Sequence, residues 1–163
     1  MSSTRRVPHR ALPSRAYLPG GAVARPAGEA PSVCQPLRDA GDAWRDHEGY
    51  LWGVDLYEHG YPWEAHEAWE AAWAATAPAS PERALVGGLV QLAAAVVQAR
   101  LGRWGGVTSL AAKARRRLAE AGRAAPVLCG IAVAPLADAI AAWAARAAAT
   151  GEVGEPPRLG LAA

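Results

Sequence analysis

The sequence predicts an all-α fold of about five helices, on three observations. Alanine supplies 41 of the 163 residues, which favours helix while adding little core volume. Proline recurs just inside prospective helix starts (Pro62, Pro81) and glycine just past prospective ends (Gly60, Gly102). No segment alternates apolar and polar residues as a half-buried strand does. Phenylalanine is absent, and eight of the eleven aromatics lie between 44 and 73, so the heaviest part of the core is expected there.

Residues 1–40 carry Arg5, Arg6, Arg10, Arg15, Arg25 and Arg38 among prolines, glycines and serines. That composition reads as a disordered tail, with a basic anchoring arm as the alternative. No apolar run of signal-peptide length follows the arginine pair. The helical domain is expected over 41–150, and 151–163 reads as a second disordered tail.

The first helix is expected from Asp42, as N-cap, to His59, with Gly60 as its C′ residue. The second runs from Pro62 to about Thr76, and "APASPE" closes it. The third, Pro81 to about Leu101, holds the uncharged run "ALVGGLVQLAAAVVQA". Such a run spans roughly 24 Å, short of the ~30 Å hydrocarbon core of a bilayer, so it predicts a buried central helix and no membrane span. The fourth, about Trp104 to Ala121, is amphipathic, with Val107, Ala111, Ala114 and Leu118 on one face. Lys113, Arg115, Arg116 and Arg117 fall mostly on the other, as a solvated basic face. A fifth helix from Pro135 to Ala149 caps the bundle, and the path of 122–134 is not legible.

A weak repeat at an offset of 42 residues aligns Gly60 with Gly102, Trp69 with Ala111 and Ala72 with Ala114. It predicts two stacked, tetratricopeptide-like helical hairpins plus the capping helix. Charge is segregated along the chain. Residues 42–70 hold eight acids and one base, whereas 100–123 hold seven bases and one acid. Two lone cysteines, Cys34 and Cys129, fit a reducing cytoplasm.

The chemistry concentrates in "YEHGYPWEAHEAWEAAW", residues 57–73. With about 100° per residue, Trp69, Trp73, Pro62, Ala65, Ala72 and Thr76 form the buried stripe. His66 and Glu70, four apart, share its edge, while Glu64 and Glu67 point outward. Gln91 is the only polar side chain between Ala84 and Val97, so His66 and Glu70 are its expected partners. Asp55 and His59 form a further pair four apart. Imidazole beside carboxylate suits zinc, manganese or iron, with His66, Glu70, Asp55 and His59 as candidate ligands. The competing reading is a hydrogen-bonded seam that fixes helix register. There is no H-E-x-x-H, no E-x-x-H, no G-x-S-x-G and no Walker loop.

"HGYPWEAHEAWEAAW" followed by "GLVQLAAAVVQARLGRWGGV" resembles the domain of unknown function 309 family. Its members show an E-A-H-E-x-x-E-x-x-W helix, then G-L-I-Q-L-A, then a G-N-x-x-G-A turn. The resemblance covers roughly residues 48–120 and implies a small all-helical fold. It implies site or packing positions at Gly60, Tyr61, Glu64, His66, Glu67, Glu70, Trp73, Gly88, Gln91 and Gly106. Arg103 stands where the family has asparagine, and Val107 where it has alanine. The resemblance brings no activity with it.

The leading expectation is a cytoplasmic, non-enzymatic binding or scaffold domain that meets a protein or small molecule through His66, Glu70 and Gln91, without a cofactor. The alternative is a metal-dependent hydrolase or oxidoreductase, with a divalent metal on His66 and Glu70 and with Glu67 or Glu64 as base. Nucleic acid binding is disfavoured, because the folded part carries no net excess of positive charge.

Overall fold

The computed structural model describes residues 4–25 and 34–162. A 3-10 segment, Ala40–Asp46, precedes α1 (Glu48–Glu58), α2 (Pro62–Ala75), α3 (Pro81–Arg100) and α4 (Trp104–Gly122). A two-stranded antiparallel hairpin, β1 (Val127–Leu128) and β2 (Ile131–Ala132), leads into α5 (Val133–Thr150). The fold is all-α apart from that hairpin. Each helix packs chiefly on the helix next in the chain, and α3 lies between α2 and α4. None of the described helices is long and apolar enough to cross a membrane.

The punctuation of α2 and α3 follows the sequence. Each has proline in its first turn, and Gly60 sits between α1 and α2 with φ of +88°, a conformation that L side chains rarely adopt. The Oγ of Ser80 accepts from Arg83 N–H at 3.2 Å and caps α3. The start of α1 differs from expectation. Asp42 takes a left-handed φ of 57° inside the 3-10 segment. The cap is instead His47, whose Nδ1 accepts from Tyr50 N–H at 3.0 Å.

The core is continuous from α1 to α5. Leu85, Leu89 and Leu92 of α3, Leu118 of α4, and Ile140 and Trp143 of α5 are buried, in line with the reading of α3 as a buried central helix and of α4 as amphipathic. Trp69 of α2 is fully buried against α1, where its Nε1 donates to Tyr50 O at 3.1 Å. Gly53 makes that approach possible, because a Cβ there would stand 2.3 Å from Trp69 Nε1. Gly88 and Gly106 admit the side chains of Leu118 and Gln98 less closely, each at 3.0 Å from where a Cβ would stand.

The ends of the chain correct the expectation of two tails. Asp55, buried in α1, accepts from Arg6 N–H at 2.9 Å and from Val7 N–H at 2.8 Å, and Val7 is buried beside it. Leu37 is buried too, its N–H donating to Thr76 Oγ1 at 3.0 Å. At the other end, Tyr57 Oη donates to Pro157 O, and Leu159 N–H donates to Glu58 Oε1 at 2.8 Å. The physical reason is that α1 alone leaves carboxylates and apolar surface uncovered, and both terminal segments carry backbone donors and an apolar side chain that match them. Residues 1–3, 26–33 and 163, also within the expected tails, lie outside the described residues.

Candidate functional site at the edge of α2

The site is built on one helix. Pro62, Ala65, Trp69, Ala72 and Thr76 are buried, as the helical phase requires, and they fix the rotation of α2. Trp73 is half-buried rather than fully so. It borders Gly87, and the Arg83 guanidinium lies 4.0 Å over its ring. That rotation sets His66 at the rim with 22% of its side chain exposed, and Glu67 and Glu70 outside it at 45% and 54%.

His66, Glu67 and Glu70 each offer a ligand atom, and the three atoms lie within 4.8 Å of one another. Among the described residues no other group of three such side chains comes together. His66 Nδ1 is 3.7 Å from Glu67 Oε1 and 3.9 Å from Glu70 Oε2, too far for a hydrogen bond. The nitrogen is nonetheless buried and has no hydrogen-bond partner. The ring is held by stacking on Trp63, with centroids 6.1 Å apart and planes 21° apart. The imidazole is therefore held by its stacking on Trp63, and its Nδ1 lies near two half-exposed carboxylates.

The N-terminal segment reaches this edge. Tyr17 packs edge-on against Trp63 with centroids 4.9 Å apart, and Arg25 lies over the same indole and 3.6 Å from Glu67. Glu64, expected to point outward, is covered by this segment. Its Oε1 accepts from Tyr17 N–H at 2.8 Å and its Oε2 is buried without a partner. Glu64 also acts electrostatically on Arg100, whose pKa is lowered by burial and partly restored by that carboxylate.

Three expected partners stand elsewhere. Asp55 spends its carboxylate on Arg6 and Val7, with Arg5 Nε 3.9 Å away, and His59 Nδ1 is bonded to the Asp55 carbonyl at 2.7 Å. Neither joins the His66 group. Gln91 makes no hydrogen bond to His66 and instead lines a cleft with Lys113, Arg116, Arg117 and Glu120. The face of α3 that carries Gln91 turns toward α4, which a single-helix phase cannot reveal. A second cleft, of about 320 Å³, opens where Tyr57, Gly60, Arg100 and Arg158 meet, and no signal in the sequence pointed to it.

Comparison with known proteins adds one match. Residues 50–110 fit the family model described as Domain of unknown function (DUF309). No curated protein and no solved structure matches the chain. The matched span runs from Tyr50 in α1 to Leu110 in α4 and so contains both the His66 group and Gln91. Over residues 50–110, less than half of its length, the chain is similar to the DUF309 family.

Proposed function

We propose that the chain is a non-catalytic binding domain whose binding face is the outer edge of α2, where His66, Glu67 and Glu70 take up a divalent cation. One observation carries this reading. A buried imidazole nitrogen has no hydrogen-bond partner and faces two carboxylates that stop short of it. A cation between them satisfies all three, and rotation of two half-exposed carboxylates is enough to close the ligand set. Water completes the coordination, since the site is open on its outer side.

The enzymatic alternative, a hydrolase or oxidoreductase on the same metal, needs a free general base. Glu67 is used as a ligand in this arrangement, and one oxygen of Glu64 is already bonded to Tyr17 N–H. Binding is therefore preferred to catalysis. A protein or small molecule that supplies further ligands to the cation is the natural partner. We place the chain in the cytoplasm, which suits two free thiols, Cys34 and Cys129.

The test is elemental analysis of the untagged protein beside His66→Ala, with matched melting curves. Near-stoichiometric zinc, manganese or iron that is lost in the variant supports the reading. Metal-free protein that takes up none of the three on titration would refute it and leave "EAHEAWE" as a packing seam.

A further inference from the structure

Gln91 sits in the middle of the uncharged run of α3, half-buried, with no hydrogen bond from its amide among the described residues. Its surroundings are cationic. Lys113, Arg116 and Arg117 of α4 line the same cleft, about 440 Å³ in volume, with Glu120 at its side. Glu120 lies 3.8 Å from Arg117. Lys113 and Arg116 have no ion pair among the described residues. Three cations and one carboxylate leave the lining at a net charge of +2. One turn before Gln91, a Cβ on Gly87 would stand 3.8 Å from Arg117 Cδ on one side and 3.3 Å from Trp73 Nε1 on the other.

Such a lining matches one chemistry. An amide presents N–H donors, guanidinium forks and an ammonium present more, and two uncompensated positive charges call for a dianion. A phosphate monoester carries close to two negative charges at neutral pH and several acceptor oxygens. The volume falls in the range of about 300–1,000 Å³ typical of small-molecule sites. We infer that Gln91, Lys113, Arg116 and Arg117 form a binding site for the phosphate group of a small molecule. The site lies across α3 from the His66 edge and does not depend on the cation proposed there. It also accounts for a polar residue in a helix that is otherwise apolar along most of its length.

The experiment is a titration of the full-length chain with inorganic phosphate at constant ionic strength, followed by NMR at the backbone amides of Lys113, Arg116 and Arg117, which every variant below retains at those positions. Chloride and acetate serve as comparison anions. A saturable shift with phosphate alone is expected. Gln91→Leu should weaken binding by about tenfold. The pair Lys113→Ala/Arg116→Ala should abolish saturation, while Arg115→Ala, outside the cleft, should bind as the parent does. A shift that is linear and equal in chloride overturns the inference, and so does equal weakening by Arg115→Ala, which reports net charge only. Saturation seen only with a duplex oligonucleotide, and falling steeply with salt, overturns it in favour of a polyanion surface. These side chains are half-exposed or exposed, so melting curves of the variants should overlay, and a variant that melts earlier is read at a temperature where it remains folded.

Discussion

Gly53→Ala tests the seat of Trp69, on which the orientation of α2 depends. The new Cβ would lie 2.3, 2.5 and 2.7 Å from three atoms of one indole, against an ordinary contact of about 3.5 Å. The overlap is therefore about 1 Å and falls on a rigid ring that is fully buried. Two adjustments relieve it. If the ring swings, the bond from Nε1 to Tyr50 O is lost and a core tryptophan is displaced. If α1 lifts from α2, a gap of that size forfeits a quarter to a half of the dispersion along the contact. Either route costs about 3–5 kcal/mol, near the cost of truncating a core aromatic. Alanine returns about 1 kcal/mol through helix propensity, which leaves a net loss of about 2–4 kcal/mol. Urea unfolding followed by far-UV circular dichroism measures it. Gly105→Ala is the control, since nothing lies within 4 Å of its Cβ and it should be neutral or slightly stabilising. A Gly53→Ala protein as stable as the parent would refute the packing described for α1 and α2.

Other outcomes follow from the same structure. Removing residues 1–12 strips the donors from the buried Asp55 carboxylate and should cost about 2–4 kcal/mol in chemical denaturation. An unchanged midpoint would restore the reading of that segment as a free tail. Burial raises the Cys129 thiol, with Asp39 and Glu82 adding to it, and raises the Tyr50 and Tyr57 phenols. All three hold their protons more tightly when folded, so the unfolded chain loses them first. Stability should be level to about pH 8.5 and then fall by about 1.4 kcal/mol per pH unit for each group released. Cys129→Ala should remove the first part of that decline, and a parent that gains stability above pH 9 would contradict the assignment. His66→Ala measured without metal should cost only about 0.5–1.5 kcal/mol in urea unfolding, the worth of its stacking on Trp63, since its Nδ1 has no hydrogen bond to lose.

How much was legible depended on whether a feature was local. Pro62, Pro81, Gly60 and the apolar phase of α2 and α4 act within a turn or two of their own position, and the helices they mark are present at nearly the expected bounds. The burial of Trp69 and the closeness of His66 to Glu70 follow from the same phase. Gln91 was misplaced because phase says which residues share a face and is silent on which neighbour covers that face. Glu64 was misread for a related reason, since the cover over it comes from Tyr17, which is 47 residues away. The terminal segments were misread because their hold on α1 runs through backbone N–H groups, which every composition offers equally. The 127–132 hairpin is too short to alternate visibly, and its turn places a cysteine, Cys129, at a φ of 45° where glycine or asparagine is the usual signal.

The attachment of both chain ends to α1 sets the order in which the molecule can assemble. Helices α2, α3 and α4 meet through neighbours in sequence, where little loop entropy is lost on closure. The bonds from Arg6 to Asp55, from Tyr50 to Cys129, and from Leu159 to Glu58 span 49, 79 and 101 residues. Contacts of such range form slowly and gain nothing until their targets are in place. The α2–α4 core is then the early unit, and α1 reaches its final protection last, when the two ends close over it. In hydrogen exchange, amides of α3 should outlast those of α1 in any variant that loosens either end.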